Sequence, residues 1–398
     1  MGTLLITCGQ LFDATGRDAK ASRTVVIEGD RIREVIATAD LPRRPDLAGA
    51  EVVDAKSRFV MPGLINVHDH LVFRGTRGPV YPELAAGRDK LALNCARAAV
   101  TALRAGWTTI RDMGASYDLS FRFREFIARD FLPGPRMVVC GAPLCVTGGH
   151  AAVISVEADG VDAMRKAARR QLEGGADLVK VMASHDPVVI DGPQKTRPEM
   201  ELDEIRAAFD QAKAHGKKTA CHVMGTVAID RVLDAGVDVV SHGFYLGLEQ
   251  AQRMAETGVF LDPTLSSYGR QTINPALDRG QAWIDLHMPL IAPMEQAFRN
   301  AVKAGVRIVT GTDSAGRYAE DVEMMRELGL DAGETLLACT RNAAEALAVS
   351  HLVGTVEPGK VADLVILDGD PLRDPYALER VDMVVQGGRA LRPDDIRI

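Results

Sequence analysis

One pattern recurs through most of the chain, between about residues 60 and 350: a helical stretch ends at a glycine, and an apolar strand follows directly. The glycine stands where a helix C-cap requires a left-handed residue before the chain turns into a strand. Six such turns are Ala105-Gly106-Trp107, Gly174-Gly175-Ala176, His215-Gly216-Lys217, Ala235-Gly236-Val237, Thr257-Gly258-Val259 and Ala304-Gly305-Val306. The pattern therefore predicts alternating helices and strands.

Eight strands are marked in this way. The opening strand runs through Phe59 to His70 and ends in His68-Asp69-His70. The other seven are Thr108–Asp112, Met137–Gly141, Leu178–Met182, Thr219–His222, Val237–His242, Val259–Asp262 and Arg307–Thr312. Eight strand–helix units predict a (β/α)8 TIM barrel, for which about 250 residues are typical. An open doubly wound sheet is disfavoured, because no Gly-x-Gly-x-x-Gly follows a strand and polar residues end many strands.

Both ends of the chain contain short strands separated by turns. These strands are Leu4–Cys8, Thr24–Glu28, Ile32–Ile36 and Glu51–Asp54 near the start, and Ala362–Leu367 and Met383–Gln386 near the end. Neither set can close a core alone, so we expect them to combine into one small β-sandwich domain. The expected boundaries are residues 1–58 plus 352–398 for this composite domain and 59–351 for the barrel.

Titratable side chains stand at the ends of several predicted strands. In a barrel of this kind the C-terminal ends of the strands form one face, which carries the chemistry. Those ends carry His68, His70, Lys180, His222 and His242, and Asp313 follows the last strand. His68 and His70 alternate along one strand and point to the same side, where two imidazoles can hold one metal ion. The set predicts a metal-dependent catalytic site.

Lys180 is unusual because its ammonium would lie in the apolar strand Val179-Lys180-Val181, where burial of a charge is costly. One explanation is a salt bridge to a neighbouring acid. The other is carbamylation by CO2, which requires the neutral amine and converts the cation into a carboxylate-like ligand. Such a ligand is able to bridge two divalent metal ions.

These residues lie in motifs that resemble the metal-dependent amidohydrolase superfamily, and the resemblance covers nearly the whole chain. The motifs are Val60-Met61-Pro62-Gly63-Leu64-Ile65 before His68-Asp69-His70, Val179-Lys180-Val181-Met182, His222, Ser241-His242-Gly243, Thr310-Gly311-Thr312-Asp313-Ser314, and the run from Gly354 to Leu364. The resemblance implies two zinc ions, the first held by His68, His70 and Asp313 and the second by His222 and His242. Carbamylated Lys180 and a hydroxide would bridge them, and Asp313 would act as general base and then general acid.

Val179-Lys180-Val181-Met182-Ala183-Ser184, together with Thr147-Gly148-Gly149-His150, resembles one branch of that superfamily. The branch contains Xaa-Pro dipeptidases, lysine or arginine carboxypeptidases and N-acyl amino acid hydrolases. The chain departs from it at His185-Asp186, where two glycines are usual, and at Met224, where a polar group is often found. Both departures lie beside expected metal ligands, so they bear on the substrate and leave the reaction class intact.

Three residues near the expected site are candidates for binding the substrate. His150 follows a glycine-rich turn after the third strand and could hydrogen-bond the substrate carbonyl or carboxylate. His185 and Tyr245 follow the fourth and sixth strands and could form the pocket wall. Candidates to bind a substrate carboxylate, all in predicted loops, are Arg270, Arg317 and Lys195. His287 is expected at the surface or at a helix end.

Composition limits the partners and the compartment. The 398 residues carry a formal net charge of -7 without a dense basic block, so neither nucleic acid nor an anionic membrane is the expected partner. No apolar segment approaches the ~20 residues that a transmembrane helix needs. The six cysteines lack a CxxC spacing, which indicates free thiols and a cytoplasmic protein. We expect a small-molecule substrate and, from the resemblance alone, a homo-oligomer.

Three functions remain open from the sequence. The leading one is hydrolysis of a dipeptide or an N-acyl amino acid at an amide next to a free carboxylate. The second is hydrolysis of a non-peptide amide, cyclic amide, carbamate or phosphoester, because the same metal pair serves each of these electrophiles. The third is a non-catalytic scaffold, which a missing ligand would indicate, and none is missing.

Overall fold

The computed structural model of the chain describes residues 2–74, 87–186, 197–270, 281–313 and 316–398. The strands, in chain order, are β1 Thr3–Leu11, β2 Lys20–Glu28, β3 Arg31–Ala37, β4 Glu51–Pro62, β5 Leu64–Asp69, β6 Trp107–Asp112, β7 Arg136–Val139, β8 Leu144–Cys145, β9 Val156–Glu157, β10 Leu178–Met182, β11 Lys218–Val223, β12 Val239–His242, β13 Phe260–Asp262, β14 Arg307–Ile308, β15 Leu364–Leu367, β16 Val381–Gln386 and β17 Arg389–Leu391.

The α-helices of the described ranges lie mainly between the central strands. They are α1 Arg88–Arg104, α2 Leu119–Ala128, α3 Val161–Glu173, α4 Leu202–Ala214, α5 Thr226–Asp234, α6 Leu248–Thr257, α7 Leu265–Tyr268, α8 Gln281–Ala304, α9 Tyr318–Glu327, α10 Ala332–Ala338 and α11 Arg341–Ala346. In these ranges none of the helices combines the length and the apolar character that crossing a membrane would require.

Strands from both ends of the chain form one seven-stranded sheet, which we call the terminal sheet. Its order is β17-β16-β15-β4-β1-β2-β3. β1 pairs in parallel with β4, and β4 pairs antiparallel with β15, so that Pro62 lies opposite Leu364. Neither end of the chain could form this sheet alone, because its central pairs use strands from both ends.

Eight parallel strands form the barrel. β5, β6 and β7 pair in one group, and β10 to β14 pair in a second group. Two backbone hydrogen bonds join the groups: Asp177 N donates to Val139 O at 2.8 Å, and Val67 N donates to Thr310 O at 3.0 Å. The ring of strands is therefore closed, and the predicted TIM barrel is confirmed.

The helices turn into strands at the predicted glycines. Positive φ angles between 63° and 82° occur at Gly106, Gly216, Gly236, Gly258 and Gly305. The left-handed conformation favours glycine because a Cβ atom would be strained there. Between the strands, α4 buries Ile205, Phe209 and Ala212 along one face. These side chains join the cluster that contains Val181 of β10, so the helix covers the outside of the barrel.

The first predicted strand differs from the structure. The sequence places Phe59 to His70 in a single strand, whereas the structure divides this stretch at Gly63 into β4 and β5. β4 continues to Pro62 in the terminal sheet, four residues past the boundary expected after residue 58. Glycine is required at the division, because a Cβ atom on Gly63 would overlap the side chain of Thr108.

A buried carboxylate connects the terminal sheet to the barrel. The side chain of Asp363, just before β15, accepts hydrogen bonds from Gly387 N at 2.8 Å and from Arg136 Nη2 at 3.0 Å. Arg136 begins β7 of the barrel, whereas Gly387 lies between β16 and β17 of the terminal sheet. Burial raises the pKa of Asp363, and the Arg136 guanidinium opposes this shift. The C-terminal motif around Asp363 therefore has a structural role.

We expect the Asp363→Ala variant to lose about 2–4 kcal/mol of unfolding free energy, because Arg136 and Gly387 N would lose their acceptor in a buried place. Urea unfolding followed by circular dichroism measures the loss. The matched control is Asp368→Ala, which removes an aspartate that is 63% exposed and paired with Arg58. It should cost less than about 1 kcal/mol. Equal small losses in both variants would contradict the connecting role of Asp363.

Candidate metal centre

The two histidines at the end of β5 are each held through Nδ1. His68 Nδ1 lies 2.8 Å from Asp262 Oδ2, and His70 Nδ1 lies 2.8 Å from the carbonyl oxygen of Gly114. The Nε2 atoms face Asp313, whose Oδ1 is 3.6 Å from His68 Nε2 and 3.7 Å from His70 Nε2. The structure thus brings three of the predicted ligands together.

His222 and His242 stand near the ends of β11 and β12, and their ring centroids are 4.6 Å apart. The His242 ring is 5.2 Å from that of His68, and its Nδ1 lies 2.8 Å from Thr264 Oγ1. His222 Nε2 is buried and has no hydrogen-bond partner among the residues that the structure describes. A buried polar atom without a partner costs free energy, and a metal ion would satisfy it.

Lys180 lies beside these histidines, with Nζ 3.5 Å from His68 Nε2. Its side chain is buried, and the burial lowers the pKa of the amine. In the described ranges no salt bridge of Lys180 to a carboxylate is formed, so that explanation of the lysine gains no support. Burial instead favours the neutral amine, which is the form that reacts with CO2.

Burial keeps the imidazoles of the centre neutral. It lowers the pKa of His70 to about 3, and the pKa values of His68, His222 and His242 fall well below the usual range. The positive charge of Lys180 shifts these values in the same direction. Neutral imidazole is the form that binds a metal ion. The histidines are therefore ready to act as ligands without losing a proton.

The donor atoms of this cluster fit a divalent metal ion. His68, His242 and Asp313 each offer one atom, and these atoms all lie within 4.8 Å of one another. Imidazole nitrogen and carboxylate oxygen are ordinary zinc ligands. The unpartnered nitrogen of His222 adds a further donor beside them. We call the six residues His68, His70, Lys180, His222, His242 and Asp313 the metal centre.

Asp262 is part of the site but was not singled out from the sequence. Besides its contact with His68, it accepts a hydrogen bond from Ser241 Oγ at 2.9 Å, and Arg111 Nη2 lies 3.6 Å away. Burial raises the pKa of Asp262 to about 7, while Arg111 and Ser241 lower it. A metal-bound histidine usually donates its second nitrogen to such an acceptor. The feature of the sequence that could have identified Asp262 is its position at the end of a predicted strand.

The three predicted substrate residues lie at different distances from the centre. His150 stacks on His222 with ring centroids 4.0 Å apart, and its backbone N donates to Glu199 Oε2 at 2.8 Å. The backbone carbonyl oxygen of His185 accepts a hydrogen bond from the His222 ring. Tyr245 is 38% exposed and, within the described residues, makes no ring contact or hydrogen bond with the metal centre.

The cations proposed to bind a substrate carboxylate are held elsewhere. Arg270 pairs with Glu295 at 2.7 Å, and Arg317 pairs with Glu379 at 2.7 Å, with both arginines more than half exposed. Lys195 lies outside the described residues. Neither arginine therefore contacts the metal centre in this structure.

Helix α8 shows that the expectation for His287 was wrong. This histidine is 1% exposed, and its ring centroid lies 6.2 Å from that of Tyr268 in α7. The reason is that α8 packs over α7 beside the barrel. Tyr268 itself donates a hydrogen bond to Asp186 Oδ2 at 2.9 Å, and its hydroxyl lies 3.5 Å from Asp313 Oδ2. Asp186, noted from the sequence only as a departure from a pattern, therefore belongs to the site.

Comparisons with known proteins identify the family of the chain and similar structures. The model of the Amidohydrolase family matches residues 59–391. An ochratoxinase from Aspergillus niger is 26% identical over 431 residues, covering 98% of this chain and 86% of the relative. The solved structure of a Xaa-Pro dipeptidase with methionine in its active site has a TM-score of 0.87 and 25% identity, covering 98% of this chain and 100% of the other. A prolidase complexed with N-methylphosphonate-L-proline has a TM-score of 0.86 and 26% identity, covering 98% and 99%.

We expect Asp262→Asn to weaken metal binding or catalysis by about 10- to 100-fold, because the amide supplies neither the charge nor the obligate acceptor that orients His68. Metal titration and kcat/KM measure the two effects. The matched control is Asp238→Asn, which alters a carboxylate that accepts hydrogen bonds from Thr219 near the start of β11, away from the strand ends that carry the centre. An equal loss of metal affinity in both variants would contradict a specific role for Asp262.

Proposed function

Because the chain belongs to the amidohydrolase family and is therefore a metal-dependent hydrolase of carbon–nitrogen bonds, we propose that it cleaves the amide of a dipeptide or an N-acyl amino acid. The similarity to a Xaa-Pro dipeptidase and a prolidase supports this substrate class. Two observations carry the proposal. The Nε2 atoms of His68 and His70 both face Asp313, and the Nε2 atom of the nearby His222 has no partner among the described residues.

We assign the ligands of two divalent ions, with zinc as the metal. His68, His70 and Asp313 would hold the first ion, and His222 and His242 the second. Carbamylated Lys180 would contribute to both. When bound, such ions supply Lewis-acid chemistry, which acidifies water and polarises the substrate carbonyl. The buried, neutral imidazoles support this assignment, because nothing must be deprotonated before they bind.

The chemistry of the Lys180 amine supports the proposed carbamate. Neutral Nζ forms a bond to the carbon of CO2 and releases one proton to solvent, which leaves a carbamate with one negative charge. Burial lowers the pKa of Lys180 and so favours the neutral reactant. The product would place a negative charge beside His68, where it would compensate the charge of two divalent ions.

Asp313 is the proposed proton carrier. Its carboxylate accepts the proton of the attacking water and then donates it to the nitrogen of the leaving amine. Burial raises the pKa of Asp313, which favours a carboxyl group that holds a proton between these steps. The hydroxyl of Tyr268, 3.5 Å from Asp313 Oδ2, helps to keep the carboxylate in one orientation.

His150, His185 and Tyr245 are the proposed substrate contacts. Burial lowers the pKa of His150 to about 3, so its ring is neutral and donates through one nitrogen. Its stacking on His222 places this donor beside the centre, where it would stabilise charge on the carbonyl oxygen. His185 and Tyr245 would form the wall of the pocket.

We further propose a cytoplasmic homo-oligomer that acts on a small molecule and binds neither nucleic acid nor a membrane. All six cysteines are buried free thiols, which supports a reducing compartment. Phe131 is 74% exposed and Phe126 is 40% exposed, which supports contact with a second copy. One apolar cluster that joins Ile6, Val25 and Leu364 supports the β-sandwich form of the terminal sheet.

Metal-free protein reconstituted with zinc should bind about two ions per chain when bicarbonate is supplied. Lys180→Met should bind at most about one ion, with or without bicarbonate, because the bridging ligand is missing. Elemental analysis measures the stoichiometry, and carbon-13 NMR after labelling with bicarbonate detects the carbamate. Lys218→Met, whose lysine pairs with Asp238 at the start of β11, is the control and should keep both ions. Full zinc content in Lys180→Met would contradict the bridge.

A substrate panel tests the proposed reaction. We expect turnover of Xaa-Pro dipeptides or N-acyl amino acids by the zinc-loaded enzyme, and activity at least about 100-fold lower for Asp313→Asn, because proton transfer contributes about 10²–10⁴-fold. Release of free amino acid measures the rate, and the variant controls for contaminating hydrolases. Turnover of carbamates, cyclic amides or phosphoesters without any peptide or N-acyl amino acid would instead support the second function. Full activity of Asp313→Asn with both metals bound would contradict its role as proton carrier.

A further inference from the structure

A short segment after the fourth barrel strand places a cation near the metal centre. Residues 197–199 run antiparallel to the end of β10: His185 N donates to Arg197 O at 3.1 Å, and Glu199 N donates to Ala183 O at 2.9 Å. In extended chains, residues two positions apart point to the same side. Arg197 and Glu199 therefore share one face with His185, and their backbones are fixed by this pairing.

A series of contacts connects this face to His222, an expected metal ligand. The His222 ring donates a hydrogen bond to the backbone carbonyl oxygen of His185, and the His150 ring stacks on the same imidazole. Glu199 accepts a hydrogen bond from the backbone of His150. Arg197 Nη2 lies 2.9 Å from His185 Nε2. A single residue, His185, thus separates the guanidinium from the metal ligand His222.

Arg197 is more available to a ligand than the arginines considered from the sequence. Arg197 is exposed. Among the described residues, its guanidinium contacts the ring of His185 and forms no ion pair with a carboxylate. Arg270 and Arg317, in contrast, are paired with Glu295 and Glu379. A guanidinium carries five N–H donors in a planar fork that matches the two oxygens of a carboxylate.

Glu199 provides a second, independent observation. Its side chain is 2% exposed, and Oε1 lies 2.9 Å from His185 Nε2 but has no hydrogen-bond donor among the described residues. One imidazole nitrogen cannot accept a hydrogen bond from Arg197 and donate one to Glu199 at the same time. While Arg197 donates to His185, the buried oxygen of Glu199 therefore lacks a donor, which costs free energy.

We propose that Arg197 binds the free carboxylate of the substrate, next to the scissile amide, and that His185 changes its tautomer when this happens. The inference rests on the proposed function and adds the residue that selects an acidic substrate. The carboxylate accepts two hydrogen bonds from the Arg197 guanidinium. Arg197 then no longer donates to His185 Nε2. The imidazole releases the Nδ1 proton to solvent and takes up one proton from solvent at Nε2, so its charge is unchanged. Nε2–H then donates to Glu199 Oε1.

The test compares Arg197→Met with the wild-type enzyme on two matched compounds. One is the best carboxylate substrate of the panel, and the other is its carboxamide. For the carboxylate we expect KM to rise about 10- to 100-fold, with kcat within about twofold, because charge-assisted hydrogen bonds to the substrate are lost. For the carboxamide, KM and kcat should not change. Arg197→Lys should restore part of the affinity, since an ammonium supplies the charge without the planar fork.

The controls separate this inference from a structural effect and from the proposed function. Arg270→Met removes an exposed arginine that is paired with Glu295, and it should leave both compounds unaffected. Zinc content and melting temperature show whether each variant is folded. An unchanged KM for the carboxylate, or equal losses for both compounds, would overturn the assignment of Arg197. If the wild-type enzyme cleaves no amide beside a carboxylate, the proposed function itself fails, and this inference fails with it.

Discussion

Two backbone hydrogen bonds at the junction of the first and last barrel strands hold the metal centre together. Thr312 N and Asp313 N both donate to the carbonyl oxygen of His68, at 3.1 Å and 2.9 Å. Asp313, the predicted ligand that follows the last strand, is thereby held beside His68, the predicted ligand near the end of the first. The parallel pairing of β11 with β12, in which Val223 lies opposite His242, places the other two histidines. The centre therefore depends on closure of the whole ring.

Desolvation determines the chemistry of this centre. Four buried imidazoles and a buried lysine amine are all driven toward their neutral forms, and Asp313 is the carboxylate among the six residues. Two divalent ions would need more negative charge than one carboxylate supplies. A carbamate on Lys180 would provide it, while Asp262 orients His68 without joining the ligand set. Burial thus underlies all three proposals: the metal pair, the carbamate on Lys180 and proton transfer by Asp313.

The features that distinguish this chain from its branch lie on one side of the centre. Met224 is fully buried in the large core cluster that surrounds the barrel, so it presents no polar group to a substrate. His185 instead contacts both Glu199 and Arg197, and Asp186 holds the hydroxyl of Tyr268. The polar groups that would contact the substrate thus come from the end of β10 and from the segment that pairs with it. On the proposed function, these residues would determine substrate selectivity, and the metal centre would carry out the reaction.

The sequence by itself determined the barrel and the six residues expected at its centre. Glycines after helices and polar residues at strand ends are local signals, and in a parallel barrel all strand ends meet at one face. Tertiary structure decided the division of the first strand at Gly63, the burial of His287, and the contacts of Asp262 and Tyr268 with predicted site residues. It also placed Arg197 beside His185, while Arg270 pairs at the surface. These contacts join residues that are distant in sequence. Side-chain packing determines which of them meet, and the periodicity of the sequence does not encode that packing.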